Sequence, residues 1–306
     1  MTSVASNVEN MNDHGLGRIG LWTFDLDMQP MSLAQEAAQR IEAMGFGTVW
    51  VPEAIGREPF ASCSLLLSAT KSLKMATGIA NIHARTAHTM QAGWRTVTEA
   101  FPNRFILGLG VSHQPMVEGA HKTTYNKPYS TMVEYLNRMD EGLFLGSPPS
   151  TEPQRVLAAL GPKMLKLAAE RSLGAHPYFT PVEHTEVARK ELGAGPLLAP
   201  EVAVIFETDA TVAREIARKY MATYLRLPNY TNNLKRMGWT EEDITGATDA
   251  LVDAICAWGT TDQIVARIKA HLDAGADHVC VQVLTANPKV LPFDTWQELA
   301  NATKGL

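Results

Sequence analysis

The sequence predicts a single α/β domain, a (β/α)8 TIM barrel. Two observations carry the prediction. Short apolar runs that end in glycine or proline alternate with amphipathic stretches along almost the whole 306-residue chain. About eight such runs can be counted, the number that closes a barrel of parallel strands. No Pro/Ser-rich linker or shift of composition interrupts residues 17–306, so one domain is expected there. A doubly wound open sheet is the main rival for the same alternation. Residues 1–16 are polar, without an apolar core or cleavage pattern, and read as a loose tail rather than a signal peptide. A cytoplasmic protein with no membrane span is the corresponding expectation.

The first strand is expected at Arg18–Phe24, followed by a helix opening at Ser32. Ser32 and Gln35 form a capping-box pattern, Leu33, Ala37, Ile41 and Met44 fall on one face, and Gly45 ends the helix. Thr48–Val51 is a buried strand stopped by Pro52 and Glu53. The third and fourth runs, Met75–Asn81 and Pro102–Val111, contain Gly78, Gly108 and Gly110. Lacking a Cβ, these glycines let backbone approach a flat ligand closely. Arg155–Leu160 leads into Gly161-Pro162 and a helix with Met164, Leu165, Leu167 and Ala168 on its buried side. Proline in the first turn leaves a helix N-terminus whose free N–H groups suit a phosphate, with Lys163 and Lys166 nearby. Further strands are expected at Ala175–Phe179, Glu201–Phe206 and His278–Leu284. Gln114–Ser130 and Leu227–Gly246 break the pattern and read as long loops on the C-terminal face, where barrels build their sites.

Lysine and arginine number 27 against 32 aspartates and glutamates, with no basic run, which argues against nucleic acid or an anionic membrane as partner. A small molecule is the expected ligand. Cys63, Cys256 and Cys280 have neither disulfide nor metal-ligand spacing, so buried filler is expected and no metal site. His113 is the first candidate for proton transfer, because it follows a glycine-rich strand end and imidazole titrates near neutrality. Glu53, at the end of the second strand, is the second, since partial burial would bring its carboxyl into the acid/base range. His176, Trp22 and Phe24 are expected to wall a substrate pocket. Arg85, in the His83–His88 stretch, is read as holding an anionic substrate or pairing with an acid, and His278 as structural.

Taken in order, Gly17–Trp22, Val49–Ala54, Ala76–Asn81, Asn103–His113, Leu160–Pro162 with Leu167–Glu170, Gly259-Thr260 and Asp273–Val279 resemble the luciferase-like monooxygenase superfamily. The resemblance covers about residues 17–285 and is stronger to the coenzyme F420-dependent branch, found largely in actinobacteria. It implies a (β/α)8 barrel, a cis peptide at Gly78–Ile79 against the deazaflavin ring, ring contacts from Asn81, Gly110, Val111 and Ser112, and contacts from Leu160, Gly161 and Pro162 to the cofactor's side chain and phosphate. It also implies an oxidoreductase that moves a hydride between a small organic substrate and F420 C5, and self-association as a homodimer. One departure stands out. Related sugar-phosphate dehydrogenases carry Asp-His after strand two and Glu after strand four, where this chain has Glu53-Ala54 and His113. FMN is the alternative cofactor, for a monooxygenase fed by a separate flavin reductase, because the chain has no glycine-rich nicotinamide fingerprint. A non-catalytic F420-binding protein is the remaining alternative.

Overall fold

The computed structural model describes residues 14–287 and 289–306. Its strands are β1 (Ile19–Trp22), β2 (Thr48–Val51), β3 (Lys74–Thr77), β4 (Ala80–Asn81), β5 (Phe105–Gly110), β6 (Gln154–Leu157), β7 (Gly174–Ala175), β8 (Leu197–Leu198), β9 (Glu201–Ile205), β10 (Cys256–Trp258) and β11 (Val279–Val283). Its helices are α1 (Met31–Met44), α2 (Pro59–Ala69), α3 (Ala87–Ala100), α4 (Gln114–Gly119), α5 (Pro128–Asp140), α6 (Pro162–Arg171), α7 (Val182–Leu192), α8 (Ala210–Tyr224), α9 (Pro228–Arg236), α10 (Glu241–Gly246), α11 (Asp249–Ile255), α12 (Thr261–Asp273) and α13 (Phe293–Ala302).

Every pairing is parallel, and the wall closes into the expected barrel. β1 pairs with β11 on one side and β2 on the other, in the register Ile19↔Val279 and Leu21↔Val49. The seventh stave runs from Leu197 to Ile205 across Pro200. Its Leu197, Ala199 and Glu201 N–H groups donate to the carbonyls of Leu173, Ala175 and Pro177 at 2.7, 2.9 and 2.9 Å, while Cys280 N–H donates to Pro200 at 2.9 Å. β1, β2, β3 and β5 count as staves one to four, β6 as five, Leu173–Pro177 around β7 as six and β11 as eight. These bonds thus join stave six to stave seven and stave seven to stave eight, which an open doubly wound sheet cannot do.

Above Pro177 the sixth stave leaves the wall. Phe179 has φ of +59°, a left-handed conformation that is rare for a bulky residue. The vacated edge of β9 pairs instead with β10, in the register Cys256↔Ala203 to Trp258↔Ile205. This strand falls outside the expected list, because its three residues follow α11 without a break. The Ala175–Phe179 strand is correspondingly shorter than expected, with only Gly174–Ala175 in the ladder.

Several local expectations need correction. α1 begins at Met31 behind Pro30 with no side-chain cap, so Ser32 and Gln35 form no capping box, and Gln35 Nε2 donates to Leu65 O at 2.9 Å instead. Leu33 is 47% exposed, and the buried stripe is Ala34, Ala37, Ala38 and Ile41. Gly45 does close the helix, with φ of +98°. The segments read as long loops hold α4 and the start of α5, and α9 and α10. Leu16, read as tail, is fully buried among Trp50, Ala76, Ile106 and Val156 inside the barrel, and its carbonyl accepts Thr48 Oγ1 at 2.8 Å. Residues 1–13 of the expected tail lie outside the described residues. All three cysteines are free and buried.

Gly108 and Gly110 are needed for close packing within the protein. A Cβ at 108 would collide with the Thr77 carbonyl oxygen, and one at 110 with the Ile79 side chain. Gly108→Ala is therefore expected to cost about 1–3 kcal/mol, read as a lowered urea midpoint. Gly119→Ala, where a Cβ meets nothing within 4 Å, should leave the midpoint unchanged.

Candidate active site

The C-terminal ends of the strands form a cup. Its floor is Gly78 and Ile79, joined by a cis peptide as the resemblance implied. A Cβ at residue 78 would lie 2.5 Å from Trp22 Nε1 and 3.1 Å from His176 Nε2. Both nitrogens are buried and have no hydrogen-bond partner. His176 Nδ1 donates to the Ala199 carbonyl at 2.7 Å; since a carbonyl only accepts, Nε2 carries the lone pair. The ring is stacked on Trp50 at 4.4 Å, and burial holds its pKa down to about 4, so it is neutral. His176 and Trp22 do share one wall, with Phe24 packed edge-on against Trp22 at 4.9 Å. His278 serves the barrel interior, where its Nε2 accepts Trp50 Nε1–H at 3.0 Å.

One rim of the cup is ionic and fully engaged. Glu53 is ion-paired with Arg85, and its Oε2 also accepts the Asn81 N–H at 2.7 Å. Both side chains are about one-tenth exposed, and Glu58 lies 3.3 Å from the same guanidinium. The Tyr135 hydroxyl donates to the Arg85 carbonyl at 2.9 Å. Glu53 thus anchors β4, and Arg85 takes the acid-pairing role of its two sequence readings. Asn81 Oδ1 accepts the His83 N–H at 2.9 Å, which turns Nδ2 towards His121 Nε2 at 3.0 Å. His121 is accordingly an acceptor, tying the α4–α5 connection to the cup.

His113 stands at the end of the fourth stave, just before α4, and Ser112 beside it has φ of +56°. Its Nδ1 lies 3.0 Å from Asn229 Oδ1 of α9, and its ring lies 5.3 Å from Tyr230. Burial lowers its pKa below the usual imidazole value, with the Asn229 bond opposing in part. Val111, Ser112 and His113 are half-buried and line the cup together with Leu160, Gly161 and Tyr178.

α6 starts at Pro162 behind Gly161 with no side-chain cap; the Met164 and Leu165 N–H groups donate to the Gly161 carbonyl at 3.0 Å, which leaves the Lys163 N–H uncapped at the helix start. The cation beside it is Arg236 from α9, whose Nη2 would lie 3.4 Å from a Cβ at Gly161. Lys163 is exposed, and Lys166 lies 4.0 Å from Glu170. Asn229, Tyr230 and Arg236 lie in the Leu227–Gly246 segment expected on the site face, but no individual role was read for them. Tyr220 and Tyr224 of α8 gave no signal, because a helix pattern does not show which distant strand it meets. Glu201 had a signal, as an acid opening the apolar run Glu201-Val202-Ala203-Val204-Ile205.

Comparison with known proteins agrees with this architecture. The profile of a family described as luciferase-like monooxygenase matches residues 18–278. A 5,10-methylenetetrahydromethanopterin reductase of Methanolobus tindarius is 26% identical, over 79% of this chain and 87% of its own. Among solved structures, an F420-dependent secondary alcohol dehydrogenase in complex with an F420–acetone adduct superposes with a TM-score of 0.75 at 16% identity, covering 93% of this chain and 98% of that one. The oxygenating constituent of 3,6-diketocamphane monooxygenase of Pseudomonas putida, in complex with FMN, gives 0.67 at 15% identity, covering 94% and 97%. At these identities the two structures share the barrel.

The Glu53–Arg85 pair can be tested without any ligand. Arg85→Ala leaves a buried carboxylate with no cation and is expected to cost about 3–5 kcal/mol of stability. The double variant Arg85→Met with Glu53→Gln removes both charges and should recover a large part of that loss in denaturant titrations.

Proposed function

This chain belongs to the luciferase-like monooxygenase family, and from that premise we propose that it is a coenzyme F420-dependent oxidoreductase, passing a hydride between the deazaflavin C5 and a carbon of a small organic substrate. The observation that carries the reading is the pairing of two features in one cup. One is a floor where Gly78 is flanked by the partnerless Trp22 Nε1 and His176 Nε2; the other is an open α6 N-terminus with Arg236 beside it. A flat polar ring with an anionic tail fits both. Support also comes from the F420-dependent structure that superposes over 93% of the chain.

In this reading Gly78, Ile79, Asn81, Val111 and Ser112 hold the ring, with Gly110 acting through its backbone because Ile79 takes its Cβ side. Leu160, Gly161, Pro162 and Arg236 hold the phosphate-bearing side chain, through helix N–H groups and a guanidinium. The bound deazaflavin supplies a carbon that accepts or gives a hydride. Glu53 and Arg85 hold the rim rather than the proton, since Glu53 is consumed by Arg85 and the Asn81 N–H, and Arg85 by Glu53 and Glu58. His113 is kept neutral by burial and oriented by Asn229, so it suits accepting a proton better than giving one. Trp22, Phe24 and His176 wall the substrate side.

Equilibrium binding of F420 and FMN, measured side by side by calorimetry, tests the reading. Preference for F420 is expected, and Arg236→Ala should weaken it about tenfold, with a shallower salt dependence. Preference for FMN would move the assignment to oxygen chemistry with a reductase partner. Failure to bind either cofactor would remove it. His113→Ala with binding and turnover both unchanged would take that residue out of the mechanism.

A further inference from the structure

A cavity of about 370 Å³ lies on the outside of the barrel at the N-terminal end of β6, the opposite end of that strand from the cup. α3 supplies Gln91, Trp94 and Arg95, the end of α5 supplies Asp140, and Arg155 and Arg171 come from β6 and the end of α6. Two of the three guanidiniums are committed. Arg155 holds both oxygens of Asp140, at 2.6 and 3.1 Å, and its Nε donates to the Arg171 carbonyl at 3.0 Å. Arg171 shares the same carboxylate at 2.9 Å and donates to Asn137 Oδ1 at 3.0 Å. One negative charge therefore serves two cations. Arg95 is the third, and among the described residues it has neither a hydrogen bond nor an ion pair. Its guanidinium lies 5.6 Å from the Phe144 ring, and its Nε is buried without a partner. Glu152, the other carboxylate in the lining, is exposed and makes no ion pair among the described residues.

Gln91 is 1% exposed and lines the same cavity one helical turn before Arg95. Its amide nitrogen is fully used, donating to Met139 O at 2.7 Å and Gly142 O at 2.8 Å, so the side chain cannot flip without losing both bonds. Its Oε1 is buried and receives no donor. The cavity therefore carries, about 6 Å apart along α3, a cation lacking an anion and an amide oxygen lacking a donor. Thr151 Oγ1, beside the lining residue Glu152, is a further buried polar atom without a partner. Each such atom costs stability until something outside the chain satisfies it. Met139 and Trp94, whose Nε1 is spent on the Gln154 carbonyl at 3.0 Å, give the space an apolar side.

We propose that this cavity is a binding site, separate from the cup, for a small carboxylate that also bears a hydroxyl or amino group. The carboxylate pairs with the Arg95 guanidinium, whose planar fork suits two parallel N–H···O bonds. The hydroxyl or amine donates to Gln91 Oε1, and the carbon skeleton lies against Trp94 and Met139. Arg155 and Arg171, with one carboxylate between them, leave the wall positive and favour an anion. A water would satisfy the two orphan atoms but not the charge. The volume of about 370 Å³ suits a ligand of metabolite size.

The site is tested by titrating the isotope-labelled protein with malate, which has the hydroxyl, with succinate, which lacks it, and with sodium chloride at matched ionic strength. The readout is the indole N–H resonance of Trp94, assigned with Trp94→Phe. Malate is expected to shift it with a Kd of about 1 mM or tighter. Succinate should bind about tenfold more weakly, since Gln91 Oε1 is then left without a donor. Arg95→Ala should weaken malate binding about tenfold, and Arg95→Lys nearly as much, because a point charge does not replace the fork. Glu152→Gln, at an exposed position, should strengthen binding by removing like charge from the mouth. Arg236→Ala, which alters the cup, should leave the titration unchanged. No shift beyond that given by sodium chloride, an equal response to malate and succinate, or undiminished binding in both Arg95 variants overturns the site. A response lost in Arg236→Ala places the anion in the cup and overturns it as well.

Discussion

One hydrogen bond, from the Phe179 N–H to the Glu201 carboxyl, governs the shape of the whole C-terminal face. The last rung between the sixth and seventh staves is Glu201 N–H to Pro177 O, at 2.9 Å. Just above it the chain turns left-handed at Phe179, which frees an N–H inside the protein, and the Glu201 side chain accepts it. Because stave six leaves there, β9 takes β10 as its neighbour, and the inner faces of Ala203 and Ile205 pack with Phe179, Met221, Tyr230 and Leu234 as a second apolar core. Through that opening the tyrosines of α8 and α9 pack against Tyr178 and Phe179. Had stave six continued, its side chains would fill the space, as Leu197, Ala199 and Cys280 do lower in the barrel.

The cup is consequently asymmetric. The rim formed by β2, β4 and the start of α3 is charged, with Glu53, Arg85 and the Asn81 amide consumed by one another. Groups so committed hold backbone in place and have little freedom to exchange protons. The opposite wall is aromatic and uncharged, and its polar atoms are under-committed: Trp22 Nε1, His176 Nε2, Tyr220 Oη and Glu201 Oε1 have no partner. Unsatisfied polar atoms cost stability wherever they are buried. Of these four, Trp22 Nε1 and His176 Nε2 flank Gly78 at the cup floor, while Tyr220 Oη and Glu201 Oε1 lie deeper, behind Phe179.

The barrel was legible in the sequence because its evidence is local. Apolar runs such as Thr48–Val51 and Phe105–Gly110 are buried along their whole length and need no partner to be recognised. Gly108 and Gly110 were also correctly read as places of close approach, but the approaching atoms belong to Thr77 and Ile79, a relation that exists only once β3 and β5 are adjacent. Pro30 displaced the expected cap at Ser32 by starting α1 one residue earlier. Of the candidate site, Trp22, His176, His113, Gly78 and the α6 N-terminus were found from strand ends. Asn229, Tyr230 and Arg236 were reached only as part of the segment Leu227–Gly246, without individual roles, and Tyr220 and Tyr224 not at all, since a helix pattern shows which face is apolar and not which distant strand that face will meet.

A buried carboxyl that stays protonated keeps charge out of an apolar wall. A charged carboxylate in the same position would draw water or a cation into the wall. A protonated one is tolerated among Tyr178, Tyr220 and Tyr224 with no cation at all, which is the composition found around Glu201. The same acid that accepts the Phe179 N–H where stave six turns away thus lies among neutral hydroxyls. Glu201→Gln keeps an acceptor for the Phe179 N–H and removes the titratable group, so it separates the turn of the chain from the ionisation of Glu201.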